Sequence, residues 1–300
     1  MTHDSDLALS RHVLTLADGR SLEWASCGPA NGTVLLHHHI TPGSAEPQTA
    51  WARGALARGL RMVTIARPGY ARSTRKPART AADVARDSEA VLDALGVGKV
   101  FVSGSSGGAP AALACGALLR ERVRGVAVHG CPAPSELVDF DFIAGMSPDN
   151  AESFVVAREG EAALRAYYDA VRPTLLGACA SPERMRAKKA GLLPPVDAAC
   201  LTSLLAADVA RGMLDGLAEN ADGWIDDDLS FIRPWGFDLA SLAGVPVSLW
   251  HGSADTTIPI AHGQWLSRHI PGVRAHLLEG EGHLSIAQRH LDELLDELVG

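Results

Sequence analysis

The stretch Phe101-Val102-Ser103-Gly104-Ser105-Ser106-Gly107-Gly108 joins a short apolar run to the pattern Gly-x-Ser-x-Gly, and the Ala-rich run Ala109 to Leu119 follows it. The apolar run predicts a strand and the Ala-rich run predicts a helix, so Ser106 falls on the turn between them. A serine on such a turn projects its hydroxyl above the sheet, and small neighbours are needed because the turn is crowded. The stretch therefore predicts a nucleophilic serine at a sheet edge.

Two other interpretations of this Gly/Ser cluster are a flexible turn and a phosphate-binding loop. The flanking strand and helix argue against a plain turn, because they give Ser106 a defined position. A phosphate-binding loop requires Gly-x-Gly-x-x-Gly or a Lys-Ser/Thr pair at the correct spacing, and neither is found here. The nucleophile interpretation is therefore favoured.

Short β-rich runs alternate with helical patterns along most of the chain. This alternation predicts an α/β fold with a mostly parallel eight-stranded sheet and helices on both faces. The predicted strands are His12 to Leu16, Leu22 to Cys27, Val34 to His38, Arg61 to Ala66, Val100 to Ser103, Val123 to His129, Val245 to Trp250 and Val273 to Leu278. The predicted helices are Gln48 to Arg58, Ala81 to Leu95, Gly107 to Leu119, Ile260 to His269 and Ile286 to Leu298.

The alternation stops over residues 132–239, which contain no convincing strand. Ser147-Pro148 and Ser181-Pro182 each place a capping serine before a proline, a pattern typical of helix starts. Pro194-Pro195 and the acidic run Asp226-Asp227-Asp228 interrupt the helical periodicity, which indicates several short helices. We predict a helical lid at 132–239, inserted into a core domain formed by 1–131 and 240–300.

A serine hydroxyl requires a base, and a histidine base requires an orienting carboxylate. Asp255 follows the strand Val245 to Trp250, and His283 follows the strand Val273 to Leu278, so both fall at the carboxyl edge of the sheet. Asp255 has the alternative roles of a helix cap or a solvated acid, and His283 that of a surface histidine. The sequence also leaves Asp226 and Asp238 open as alternative orienting acids.

These motifs resemble the serine-nucleophile group of the α/β-hydrolase fold superfamily, whose members carry a helical lid, over essentially the whole chain. The order Ser, Asp, His is the order of that group. The resemblance implies that Ser106, Asp255 and His283 form a catalytic triad. It also implies an oxyanion hole made by the backbone N–H groups of Thr41 and Gly107.

The family commonly shows His-Gly-x-Pro where this chain has His39-Ile40-Thr41-Pro42. Ile40 replaces a glycine that takes positive φ easily, and its bulk would project towards the substrate. Ile40 and His39 are therefore candidate substrate-binding residues. A second departure lies in Ala66-Arg67-Pro68-Gly69-Tyr70-Ala71-Arg72-Ser73, where the family has Asp and Gly in place of Ala66 and Ala71.

The predicted function is a serine hydrolase that cleaves a small to medium, largely apolar ester, lactone or related acyl substrate through an acyl-enzyme on Ser106. One alternative is an aminopeptidase of the proline iminopeptidase type, in which an acidic lid residue binds the amine; Glu152, Glu159 and Glu219 are available. A lyase, cyclase or isomerase using the same triad, or a silent ligand-binding relative, is motivated by Ile40. The nucleophilic carboxylate of related dehalogenases and epoxide hydrolases is disfavoured because position 106 is serine.

The composition excludes several partners. A net charge of −8 without a basic run disfavours nucleic acid. Residues 1–10 lack the pattern of a signal peptide, and no stretch is apolar enough to span a membrane, so we expect a cytoplasmic protein without a membrane partner. We predict a small-molecule substrate, leave a homo-oligomer open, and expect no cofactor. We also expect no metal, because the run His37-His38-His39 alternates between sheet faces.

Overall fold

The computed structural model describes residues 8–135 and 140–300. Most of the segment on which the signal-peptide argument rests, residues 1–7, lies outside the described residues, as do residues 136–139 of the predicted lid. None of the described helices is both long and apolar enough to cross a membrane.

The structure contains one sheet of eight strands in the order β1-β2-β4-β3-β5-β6-β7-β8. Strand β2 runs antiparallel to β1 and β4, and the remaining neighbours are parallel. This arrangement confirms the mostly parallel eight-stranded sheet. The strands are β1 (Ser10–Thr15), β2 (Ser21–Cys27), β3 (Val34–His38), β4 (Arg61–Ile65), β5 (Val100–Ser105), β6 (Val123–His129), β7 (Val247–Gly252) and β8 (Arg274–Leu278).

Twelve α-helices accompany the strands in the described part of the chain. They are α1 (Thr49–Ala57), α2 (Ala81–Ala94), α3 (Ala109–Leu118), α4 (Pro148–Arg158), α5 (Glu161–Ala178), α6 (Pro182–Lys189), α7 (Pro195–Cys200), α8 (Ser203–Gly216), α9 (Asp222–Phe231), α10 (Ile260–His269), α11 (His283–Arg289) and α12 (Leu291–Val299).

Helices cover both faces of the sheet, as the side-chain alternation along the strands requires. Leu36 of β3 packs with Leu113 of α3 in one core cluster. Its neighbour Leu35 points to the opposite face, where it packs with Trp51 of α1 and Leu294 of α12. Because successive strand residues face opposite sides, a strand buried on both faces is apolar throughout rather than alternating.

Six helices, α4 to α9, lie between β6 and β7 in chain order, and we call them the inserted helices. Two of them begin at the expected prolines, Pro148 and Pro182. The acidic run Asp226-Asp227-Asp228 does not interrupt a helix as expected, because it lies inside α9 with all three residues buried.

The expected helix Ile286 to Leu298 is also different in the structure, where it consists of α11 and α12. His290 separates them with φ −118° and ψ 13°, which are not helical values. As a result, α11 begins at His283 itself, and the backbone of this residue belongs to a helix N-terminus.

Candidate active site

Ser106 lies between the end of β5 and the start of α3, in a 3-10 turn over residues 106–108. Its φ is +52°, a backbone conformation that residues other than glycine adopt at a cost of about 1–2 kcal/mol. A Cβ at Gly104 would lie 2.7 Å from the carbonyl oxygen of Gly108, so the turn has no room for a larger residue there. The strained turn holds the Ser106 hydroxyl at the carboxyl end of the central strands.

Asp255 and His283 lie in the segments that follow β7 and β8, and they contact each other directly. The distance between His283 Nδ1 and Asp255 Oδ2 is 2.7 Å. The other oxygen, Oδ1, accepts hydrogen bonds from the backbone N–H groups of Thr257 and Ile258, both at 2.8 Å. Because an ionised carboxylate only accepts, Nδ1 carries the proton and Nε2 is left as a basic nitrogen.

Asp255 also sets the electrostatics of this pair. Burial opposes the charged imidazolium, but the Asp255 carboxylate outweighs this effect and raises the pKa of His283 above its ordinary value. Burial likewise opposes the charged carboxylate, but His283 lowers the pKa of Asp255. The other two candidate orienting acids have different partners: Asp226 pairs with Arg75, and Asp238 accepts a hydrogen bond from the backbone N–H of Ala240.

Ser106 and His283 line the same cavity of about 140 Å³. The described hydrogen bonds do not include one between their side chains, and such contacts often tighten only when substrate binds. Gly130, at the end of β6, makes the position of the imidazole possible, since a Cβ there would lie 2.7 Å from His283 Cε1. The arrangement can pass a proton from Ser106 to His283 once the two groups close.

Ser106 faces two cavities of different character. The larger cavity, about 320 Å³, contains aromatic and polar groups, among them Phe154, Tyr168, Trp224 and Asp228. The smaller one, which also holds His283, is mostly apolar. Its apolar lining includes Ile40, Met185, Leu201, Leu205, Val209 and Leu284.

The loop after β3 brings Thr41 against Gly107. A Cβ at position 107 would overlap the Thr41 side chain, so glycine is required where the two segments meet. No described hydrogen bond is donated by the Thr41 amide. Both residues line the larger cavity beside Ser106, which is where two backbone N–H groups would have to meet an oxyanion.

The two candidate substrate-binding residues lie in different environments. Ile40 lines the smaller cavity and is not among the described residues with positive φ, so the loop accommodates its β-branched side chain. His39 lines neither cavity that Ser106 lines. Its Nδ1 donates to the carbonyl of Ile40 at 2.6 Å, and its Nε2 accepts from the Arg67 amide at 3.2 Å.

Sequence reasoning missed a buried ion cluster beside this loop. Asp227 of α9 accepts hydrogen bonds from Arg67 Nη2 at 2.6 Å and from Arg79 Nη2 at 2.7 Å, and all three side chains are 1% exposed. Tyr70 and Thr41 donate their hydroxyl groups to the same carboxylate, at 2.8 and 2.6 Å. The cluster links an inserted helix to the residue expected to stabilise an oxyanion.

Arg67 extends this link to the backbone of the loop. Its Nη1 donates to the carbonyl of His39 at 2.5 Å, and its Nη2 donates to the carbonyl of Ile40 at 3.1 Å. The sequence signal that could have indicated this role is the Arg67-Pro68-Gly69-Tyr70 segment, which resembles a loop of the family. Ala71, where the family has glycine, adopts φ +48°.

A further missed group is Asp228, which lines the larger cavity with Ser106. Burial raises the pKa of Asp228 to about 7, although Tyr168 donates its hydroxyl to the carboxylate and opposes the shift. Glu152, Glu159 and Glu219, the acids that the sequence offered for an amine, line neither cavity beside Ser106.

The three consecutive histidines are separate in their contacts. His37 Nδ1 lies 2.8 Å from Ser103 Oγ, and His38 Nε2 lies 3.5 Å from Cys115 Sγ. Over residues 8–135 and 140–300, no three His, Cys, Asp or Glu side chains are grouped as a metal site would require.

The raised pKa of His283 has a measurable consequence. If neutral His283 is the base, kcat/KM should decline as the pH falls through that pKa. Asp255→Asn removes the charge that raises the pKa, so the acid limb should move down by about one pH unit. The control is Asp238→Asn, at the cap of a 3-10 turn, and the pH profile of each variant is the measurement. An acid limb that is unchanged in Asp255→Asn would exclude Asp255 as the partner of the base.

Comparison with known proteins identifies the relatives of this fold. A family model described as the alpha/beta hydrolase fold matches residues 32–289. A proline iminopeptidase of Neisseria meningitidis is 24% identical over 296 residues, covering 94% of this chain and 93% of that protein. A hydrolase from Pseudomonas aeruginosa PA01 superposes with a TM-score of 0.67 at 18% identity, covering 97% of this chain and 98% of the other. A thermophilic esterase from Thermogutta terrifontis superposes with a TM-score of 0.65 at 20% identity, covering 97% of this chain and 98% of the other.

Proposed function

Because the chain belongs to the α/β-hydrolase fold family, we propose that it is a serine hydrolase acting on a small to medium, largely apolar ester, lactone or related acyl compound. The observation that carries this proposal is the position of Ser106, on a strained turn at φ +52°, in one cavity with His283, whose Nδ1 is hydrogen-bonded to Asp255. A nucleophile, a base and an orienting carboxylate are the groups that acyl transfer requires.

The proposed reaction has two halves. Ser106 Oγ attacks the acyl carbon while His283 Nε2 takes the hydroxyl proton, and Asp255 stabilises the imidazolium that forms. The Thr41 and Gly107 amides bind the oxyanion, and His283 returns the proton to the leaving group. Water then attacks the acyl-enzyme with His283 again as base, which releases the acid and regenerates Ser106.

The two cavities suggest how the substrate lies. The cavity of about 140 Å³ offers apolar walls to one substituent of the acyl carbon, and its lining includes Ile40 and Leu205. The cavity of about 320 Å³ has room for the other part and for a polar group. The lyase and isomerase alternatives were motivated by Ile40, which was expected to distort the loop. Ile40 is not among the described residues with positive φ, so we prefer hydrolysis.

The proposal is tested with a series of p-nitrophenyl esters of increasing acyl length, in parallel with aminoacyl p-nitroanilides. We expect turnover of short and medium acyl esters that disappears in Ser106→Ala. Equal rates in the wild-type protein and Ser106→Ala for every compound would overturn the proposal, as would a folded protein that turns over none of the compounds.

A second candidate function, release of an N-terminal residue from a peptide or amide, is favoured by Asp228. This buried carboxylate lines the larger cavity with the aromatic rings of Tyr168 and Trp224, a suitable environment for a protonated amine. The proteins of Neisseria meningitidis to which the chain is similar are named proline iminopeptidases. In this candidate, Ser106 and His283 perform the same acyl transfer on an amide.

Asp228→Asn separates the two candidates. If Asp228 binds an amine, the variant should lose about 10- to 100-fold in kcat/KM for aminoacyl nitroanilides, because one charge-assisted hydrogen bond is lost. With the pKa of Asp228 at about 7, the wild-type KM for those compounds should fall as the pH rises through that value, since the carboxylate then becomes charged.

The matched control is Asp222→Asn in the first turn of the same helix, where the carboxylate pairs with Arg165 at 2.7 Å and lies outside both cavities. Ester turnover should change little in either variant. Equal kinetics of Asp228→Asn and Asp222→Asn on aminoacyl nitroanilides would remove the second candidate.

A further inference from the structure

Asp197 of α7, one of the inserted helices, binds the backbone of the candidate catalytic histidine. Its Oδ2 accepts a hydrogen bond from the His283 N–H at 2.8 Å. Its Oδ1 accepts from the N–H groups of Leu284 and Ser285, both at 2.9 Å. These are the first three amides of α11, which have no partner within their own helix. Asp197 therefore satisfies the amides of the first three residues of this helix, and the amide of the preceding Gly282 donates to Ser285 Oγ at 2.7 Å.

The contact is closely fitted. Asp197 is fully buried, and a Cβ at Gly282 would overlap its carboxylate, so the chain reaches the carboxylate only because residue 282 is glycine. Within residues 8–135 and 140–300, no Lys, Arg or His side chain pairs with Asp197. The three amides, together with the positive end of the helix, are thus its described partners.

We propose that Asp197 is a positioning residue for His283: by binding the amides of residues 283–285, it fixes the backbone from which the imidazole contacts Asp255 and lines the cavity that it shares with Ser106. This inference rests on the proposed serine-hydrolase function. It makes the inserted helices part of the catalytic framework, in addition to forming walls of the cavities. A helix cap in a remote position would stabilise the fold without affecting the reactivity of Ser106.

The charge of Asp197 acts on the same histidine. The negative carboxylate favours the imidazolium and, together with Asp255, contributes to the raised pKa of His283 against the opposing effect of burial. Other titratable groups acting on His283 or its partner Asp255 also belong to neighbouring elements. They are His129 at the end of β6, His251 of β7 and Lys189 of α6.

The chain offers a matched control in Asp208 of α8. This aspartate is also buried in the inserted helices and also holds the start of a core helix, because its carboxylate accepts the N–H and the hydroxyl of Thr49, each at 2.8 Å. Its contacts are with α1 and with Arg211, and it lines neither cavity beside Ser106. Asp208→Asn therefore reports the cost of weakening such an anchor away from the site.

The test measures the rate at which a fluorophosphonate labels the protein, by intact mass, across pH. In Asp197→Asn, the His283 amide would face an amide donor, so the plateau rate should fall by about tenfold or more through misplacement of the base. The acid limb should move down by about half a pH unit because a nearby negative charge is removed. Asp208→Asn should keep the wild-type plateau and limb.

Gly282→Ala provides a second, independent displacement and is decisive if Asp197→Asn does not fold. The added methyl group displaces the Asp197 carboxylate but leaves its charge in place. The plateau labelling rate should therefore fall, while the acid limb should move less than in Asp197→Asn. Wild-type rate and limb in a folded Asp197→Asn or Gly282→Ala protein would overturn the inference and leave the proposed function standing. Absence of labelling in the wild-type protein would instead overturn the proposed function, and the inference with it.

Discussion

Ser106→Ala is expected to lower kcat on a p-nitrophenyl ester by about 10⁴-fold or more, because the acyl-enzyme can no longer form. The fold should be retained, since alanine removes only one oxygen from a residue whose hydroxyl makes none of the described hydrogen bonds. Residual turnover should come from substrate binding and from the backbone amides near Thr41 and Gly107. Steady-state kinetics on the purified variants gives the measurement.

Ser103→Ala is the control for this prediction. Ser103 lies in β5, three residues before Ser106, is also buried, and shares one hydrogen bond with His37 Nδ1 at 2.8 Å. Its loss should affect stability modestly and kcat little. If Ser103→Ala and Ser106→Ala lose activity to the same extent, the effect arises from damage to β5 and the nucleophile assignment fails.

Asp227→Ala is expected to destabilise the protein by about 3–5 kcal/mol, because it leaves two buried guanidinium groups without their carboxylate. Arg67 and Arg79 are each 1% exposed, so water cannot replace the lost partner without disrupting the packing. The variant should also label more slowly with a fluorophosphonate, since Arg67 and Thr41 hold the loop of the proposed oxyanion hole. Urea unfolding followed by circular dichroism measures the free energy of unfolding.

Asp226→Ala, one position earlier, is the matched control. Its partner Arg75 keeps 22% of its side chain exposed and also pairs with Glu161, so the guanidinium is not left unpaired. We expect a clearly smaller loss of stability, on the order of 1 kcal/mol. Equal losses in the two variants would mean that the acidic run acts only through helix α9 and does not anchor the loop.

The sequence predicted those features of the fold that depend on local patterns. Leu35 and Leu36 belong to an apolar run short enough for a buried strand, and the Gly-x-Ser-x-Gly turn required a strand before it and a helix after it. The order of the motifs around Ser106, Asp255 and His283 placed all three at one sheet edge. In the structure, the segments that carry them do meet there.

The missed groups depend on contacts between distant parts of the chain. Arg67 and Asp227 are 160 positions apart, and Asp197 and His283 are 86 positions apart. Burial of a charge requires a compensating charge or several hydrogen-bond donors. Without knowledge of such partners, a run of three aspartates is typical of a solvent-exposed segment. The substrate-binding role of His39 stays a prediction, since its ring contacts the Arg67 amide and the Ile40 carbonyl and lines neither cavity beside Ser106.

Asp197 and Asp227 together change the expectation for the inserted segment. The sequence suggested a lid in the general sense of a cover over Ser106. The contacts of Asp197 with α11 and of Asp227 with Arg67 and Arg79 bind the inserted helices to the core through buried carboxylates. Because such contacts are costly to break one at a time, the inserted helices are expected to act as a fixed wall at these two places.

The central claim is that Ser106 is the nucleophile, and covalent labelling tests it most directly. Wild-type protein is treated with a fluorophosphonate, and its intact mass and peptide map are measured beside those of Ser106→Ala. The account predicts a single phosphonyl adduct on Ser106 in the wild-type protein and none in the variant. A folded wild-type protein that remains unmodified, or an adduct that persists in Ser106→Ala, would contradict it.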